Sequence, residues 1–167
     1  MHQMITGTIA ILPILFASQS PAQIAFERLK KLEGEWISKD ADTNDQPMKV
    51  TFKLTGARTT LVETQFPGEP HEMMTTYHLD GNNLVLTHYC AAGNQPRMKL
   101  IPGKDANRLV FQFTGISNLA NKNAGHIHSA KYHFQGPDSF VSEWEHWADN
   151  KSGGWVKFDM KRVRPSK

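Results

Sequence analysis

From residue 35 to residue 163 the chain alternates apolar and polar residues with a period of two, and a turn signal interrupts it roughly every ten residues. That rhythm predicts short strands over Glu35–Asp40, Met48–Thr55, Thr59–Phe66, Glu72–Leu79, Leu84–Cys90, Arg97–Pro102, Arg108–Thr114, His126–Phe134, Phe140–Trp147 and Trp155–Val163. Between them stand PGEP, DGNN, AAGNQP, PGKDAN, QGPDS and DNKSGG, all strings of turn formers. No linker, internal repeat or second helix breaks the series. An antiparallel meander of about ten strands exposes two edges unless it closes, so an all-β, up-and-down barrel is the expected architecture. The 167 residues suit one such domain with a substantial core.

The N-terminal part is different. AQIAFERLKKLEG (Ala22 to Gly34) reads as one short helix with Ile24, Leu29 and Leu32 on one side and Gly34 as its stop. Before it, Met4 to Ala17 is apolar and uncharged, too short to span a bilayer as a helix, and interrupted by Pro13. Ser20 and Ala22 then supply small residues at −3 and −1 of a cleavage site. The layout is that of a secretory signal peptide over residues 1–22, although MHQM lacks a Lys or Arg, with the domain at 23–167. The expected destination is the periplasm or the extracellular space. No other segment is apolar enough for stable membrane insertion, and a monomer or weak dimer is expected. Cys90 is alone, so no internal disulfide forms, and the thiol is either buried and inert or free and reactive. The net charge of +3 is dispersed; even RLKK (Arg28 to Lys31) and MKRVRPSK (Met160 to Lys167) make no footprint for nucleic acid.

A short helix running into LEGEW, with Trp36 on the first strand, resembles the Gly-x-Trp start of the calycin superfamily (lipocalins, fatty-acid-binding proteins and relatives). The resemblance implies a basic residue on the last strand, packed over the tryptophan. Here Val156, Phe158, Met160 and Arg162 share the apolar face of that strand, which places Arg162 in this structural role. The chain is also similar to uncharacterised exported bacterial proteins with a YHLDG…LTHYC…GNQPRM block, a resemblance that names no activity.

Registers decide which polar residues enter the barrel. With DGNN at a hairpin tip, Leu79 opposes Leu84, Tyr77 opposes Leu86, Thr75 opposes His88 and Met73 opposes Cys90. That face is the more apolar one, so His88 and Cys90 point inward and His78 outward. With QGPDS as a five-residue loop, Phe134 opposes Phe140, Ala130 opposes Trp144 and His128 opposes His146. This choice segregates charge to the outside, and it turns His126, His128 and His146 inward. The interior then holds Tyr77, His88, Cys90, Trp144, Arg162 and the three histidines, more polar than a packed core requires. An internal cavity with a few convergent polar groups is the default binding site.

The chemistry these residues allow is broad. His126-x-His128 with His146 has the donor types of a zinc site, and His88 with Cys90 could ligate a metal or haem iron. The spacing is permissive rather than diagnostic. The cupin pattern fails because no carboxylate follows in SAKYHFQG, and no phosphate loop, nucleophile elbow or His-Glu-x-x-His is present. Glu143 and Glu145 read as a solvated face. His71, Asn94, Gln95 and Arg97 lie in loops at the same end of the first hairpin as His88, where they would rim an opening for a polar or anionic head group. The expectation is an exported barrel that binds a small, partly apolar molecule through Tyr77, His88, Cys90, Trp144 and this rim. The alternative is an enzyme on the same barrel, metal- or haem-dependent or a histidine-based isomerase or hydrolase. A filled structural barrel with no ligand is the third reading.

Overall fold

The computed structural model describes residues 19–41 and 46–164. Helix α1 (Pro21–Lys30) precedes ten strands: β1 (Gly34–Ala41), β2 (Pro47–Thr55), β3 (Thr60–Gln65), β4 (Met73–Asp80), β5 (Asn83–Tyr89), β6 (Gln95–Ile101), β7 (Arg108–Ser117), β8 (His126–Gly136), β9 (Ser139–Ala148) and β10 (Lys151–Arg162). Each strand pairs antiparallel with the next and β1 pairs with β10, so the meander closes into the barrel that the alternation predicts. The apolar run 4–17 lies outside the described residues. Among the described residues no helix is long and apolar enough to cross a membrane.

Helix α1 begins with a capping box. The Ser20 hydroxyl accepts from the Gln23 N–H at 3.2 Å, and the Gln23 side chain accepts from the Ser20 N–H at 2.7 Å. Pro21 follows the cap, and Arg28 and Lys30 lie in the last turn, where cations suit the dipole. The buried stripe is Ala22, Ala25, Phe26 and Leu29, continued by Leu32. This corrects the predicted face: Ile24, five residues and 140° from Leu29, is 50% exposed. The helix also ends before Gly34. Gly34 instead has φ 126°, and a Cβ there would stand 3.1 Å from Arg162 Nη1. The glycine of Gly-x-Trp makes room for the arginine.

That arginine locks the helix end of the barrel. Trp36 pairs with Arg162 across β1 and β10, and the guanidinium lies 4.3 Å over the indole. Arg162 donates to the carbonyls of Glu33 at 2.9 Å and Lys31 at 2.7 Å, and it ion-pairs with Asp138 at 3.3 Å. Trp36 Nε1 donates to the Leu32 carbonyl at 2.7 Å. Every strong polar group brought into this corner has a partner.

The strand registers follow the polarity argument. Leu79, Tyr77 and Thr75 oppose Leu84, Leu86 and His88, around the tip Gly81-Asn82. In β8 and β9, Phe134 opposes Phe140, Tyr132 opposes Ser142, Ala130 opposes Trp144 and Lys131 opposes Glu143. The turn itself is shorter than QGPDS: β8 runs to Gly136 and β9 starts at Ser139, with a register shift between Phe134 and Gly136. The bulge preserves the parity of a five-residue loop, so the same residues face inward. Leu61, Tyr77, Leu84, Met98, Phe111 and Ala130 are fully buried at the centre.

Candidate functional site

The end of the barrel opposite α1 is the candidate site. It is framed by the ends of β3, β5 and β9 and the starts of β4, β8 and β10. A cavity of about 130 Å³ lies there, lined by His88, Trp144, Ile127, His146, Val156 and Phe158 among others. Val156 opposes the buried Trp144, yet it is 53% exposed, and His146 is exposed as well. Inward-facing residues with that exposure mark an open mouth.

His88 and Trp144 form its inner wall, with ring centroids 5.1 Å apart. His88 is 1% exposed, and burial pulls its pKa down to about 4, so the ring is neutral at pH 7. Its Nδ1 lies 2.8 Å from the Thr75 hydroxyl. His88 Nε2 and Trp144 Nε1 are buried without any hydrogen-bond partner. An orphaned buried polar atom costs about 1–3 kcal/mol, so two of them behind one cavity wall mark this end of the barrel as the place where the core is not optimised for stability.

A second cavity of about 200 Å³ adjoins the first, the two sharing Ile127 and His146. Cys90, half-buried, and Asn94, buried, line it. Asn94 donates from Nδ2 to the Gly125 carbonyl at 2.9 Å and leaves Oδ1 unpartnered. The His146 ring stands between two glycines. A Cβ on Gly125 would meet its Nε2 at 2.8 Å, and one on Gly153 its Nδ1 at 3.0 Å.

The three histidines expected to converge do not. A bulge between Ile127 and Ser129 sets Ile127 opposite His146 and His126 opposite Trp147, so His128 loses its predicted partner. His128 stacks on Trp147 at 3.9 Å and on Phe113 at 4.5 Å. Its Nδ1 lies 3.1 Å from His126 Nε2. Burial, with the neighbouring His126, lowers the His128 pKa, while Glu145 acts against them. Among the described residues no three His, Cys, Asp or Glu side chains come together as a metal site.

The predicted rim also divides. Arg97 is on the outer face of β6, lies across Gly115 and donates to the Ser117 hydroxyl at 2.7 Å. The inner positions beside it are Pro96 and Met98. Gln95 is tied to the Gly93 carbonyl and to Asn118. His71 packs on Phe66 at 4.5 Å and borders a separate depression with Pro47, Lys49 and Glu69. These three close loops, and only Asn94 of the predicted rim borders the cavities behind the mouth.

Below the cavity lies a cluster that the sequence reading missed. Glu63 is 1% exposed, and Gln65, which lines the cavity, donates to its Oε1 at 2.9 Å. Its Oε2 is 2.5 Å from Tyr77 Oη and 2.7 Å from Tyr132 Oη, and the two phenols are 2.5 Å apart. Burial raises the Glu63 pKa, against the hydrogen bonds that Tyr77, Gln65 and Tyr132 donate to it. The signal was present in TLVETQ: Leu61, Glu63 and Gln65 share a face, and Leu61 opposes Tyr77.

No family model matches the chain, and no curated protein matches it. The fold is similar to that in a crystal structure of Rv2717c from M. tuberculosis. The TM-score is 0.56 at 16% identity, over 84% of this chain and 98% of that one. At that identity the likeness shows the fold alone.

Proposed function

We propose that the chain is an exported, calycin-like barrel that holds a small, partly apolar molecule in its open end. The carrying observation is the mainly apolar cavity of about 130 Å³ at the open end, walled by His88 and Trp144, two buried rings that each leave a nitrogen without a partner. The Trp36–Arg162 stack over Gly34 supports the calycin kinship. The uncharged apolar run 4–17 supports export. The capping box supports a cut upstream of Ser20, since a cut after Ala22 would remove both the cap residue and a buried alanine. Drug-sized ligands fill roughly 300–1,000 Å³, so this ligand is small or projects through the mouth.

Toluene is a suitable first probe. Titration followed by the Ile127 methyl and Trp144 indole NMR signals is expected to show saturable shifts at both. Val156→Trp, which fills the mouth, is expected to abolish them. Unshifted signals at these two residues in the natural protein would reject the binding reading.

A further inference from the structure

The small-molecule reading makes no use of the histidine pair at the start of β8. The ladder between β7 and β8 ends at Gln112 and Ser129, although β7 runs on to Ser117 and β8 begins at His126. Side chains meet there where the backbones do not pair. His128 is clamped between Trp147, at 3.9 Å and 15°, and Phe113, at 4.5 Å and 13°. His126 stands beside it, tilted against Phe113 at 5.4 Å. Both imidazoles are partly exposed, so an ion has a way in.

Their hydrogen bonds decide which nitrogens carry lone pairs. His126 Nδ1 lies 3.2 Å from the Ala124 carbonyl, which can only accept, so Nδ1 holds the proton. Neutral His126 then keeps its lone pair on Nε2, 3.1 Å from His128 Nδ1. His128 Nε2 has no protein partner among the described residues. It can carry the ring's proton in place of Nδ1, which leaves two lone pairs facing each other. The bond from His126 to Ala124 is the outer support that metal-binding histidines commonly have.

The number and arrangement of donors select the ion. Zinc sites use three or four protein ligands that converge on one point. Among the described residues no third His, Cys, Asp or Glu joins this pair. Two nitrogens that face each other across a hydrogen bond instead suit a linear, two-coordinate ion, and imidazole is a ligand for copper. Metal–nitrogen bonds of about 2.0 Å would set the nitrogens about 4 Å apart. The pair then opens from 3.1 Å by roughly 0.9 Å, and His126, tilted rather than stacked, is the ring able to swing.

We propose that His126 Nε2 and His128 Nδ1 hold one cuprous ion in line between them, with Trp147 and Phe113 fixing the His128 ring. The proton between the rings passes to His128 Nε2, so both imidazoles stay neutral and the site gains one positive charge. The site does not depend on the small-molecule reading.

Silver(I), a closed-shell monovalent ion that needs no protection from air, is the probe. It is added as nitrate, in chloride-free buffer, to the mature protein without a His-tag. One equivalent is expected to shift the imidazole nitrogen NMR signals of His126 and His128, and cuprous ion added anaerobically is expected to shift the same signals. His126→Gln and His128→Phe are each expected to weaken silver binding by about tenfold or more, with circular dichroism verifying the fold. His133→Ala, further along β8, is expected to leave it unchanged. Zinc(II) is expected to bind by about tenfold or more less tightly than silver. Silver binding that is lost in Cys90→Ser and kept in both histidine variants would overturn the proposal in favour of the lone thiol. Zinc binding as tight as silver would overturn the two-coordinate assignment. No shift at either histidine of the natural protein would overturn the site.

Discussion

The two ends of this barrel handle the polar groups turned into them in opposite ways. At the helix end Arg162, a full charge, is stacked on Trp36 and bonded to the carbonyls of Lys31 and Glu33 and to Asp138. At the open end His88, Trp144 and Asn94, all uncharged, each leave a buried atom without a partner. The described residues with orphaned buried atoms (these three and Trp147) all belong to that end. A fold able to satisfy an arginine at one end has the means to satisfy an imidazole at the other. The contrast teaches that the helix end is built for closure, and it is why the proposed ligand site is placed at the mouth.

The strongest way to break the comparison is at the closed end. Arg162→Met is expected to cost about 3 kcal/mol, because it removes the charged hydrogen bonds to the Lys31 and Glu33 carbonyls and the ion pair with Asp138, and uncovers the indole. Urea unfolding would measure it, and a loss below about 1 kcal/mol would mean that the lock is ornamental.

A loss of similar size is expected at the mouth, but only in acid. The folded His88 pKa lies at about 4, below the usual 6.5. Its contribution to stability is therefore complete above pH 6.5 and disappears as pH falls through 4. Between pH 7 and pH 4 the natural protein should lose about 3 kcal/mol more than His88→Phe does. Parallel stability profiles for the two would show that His88 titrates in water.

Glu63 sharpens the picture with the opposite sign. A carboxyl whose folded pKa is raised stabilises fully below its unfolded pKa, and that contribution declines as pH rises through the folded value. Glu63→Gln is expected to flatten the fall in stability on the alkaline side, read as denaturation midpoints from pH 4 to pH 9. The smallest effect belongs to Arg97→Ala. On the outer face it should change stability by less than about 0.5 kcal/mol, and a larger loss would show that its bond to Ser117 holds the bulge in β6 and β7.

How far the sequence speaks follows from where periodicity holds. Alternation is strict in β4, β5 and β10, and there the inward positions of Tyr77, His88 and Arg162 were legible. Trp36 and Arg162 were legible together because one glycine and one inward cation mark a joint constraint. Alternation fails at a bulge, and no local signal in HIHSAKY announces that His128 is the extra residue. The predicted histidine trio was lost for that reason. Arg97 adjoins GNQP in sequence, but the buried Met98 and Leu100 of its strand set it on the outer face, away from the opening. Glu63 was passed over because a carboxylate reads as solvent-facing, and only the pairing of Leu61 with Tyr77 shows that its whole face is buried. The helix buries the face that the 3.6-residue spacing of Ala22, Ala25, Phe26 and Leu29 defines, and Ile24 lies off it.

The most direct measurement is a crystal structure of the mature protein soaked in toluene. The account predicts one ring in the open-end cavity, against Phe158, Ile127 and Trp144. A structure in which that space is filled by the protein's own side chains, with no ring beside them, would contradict it.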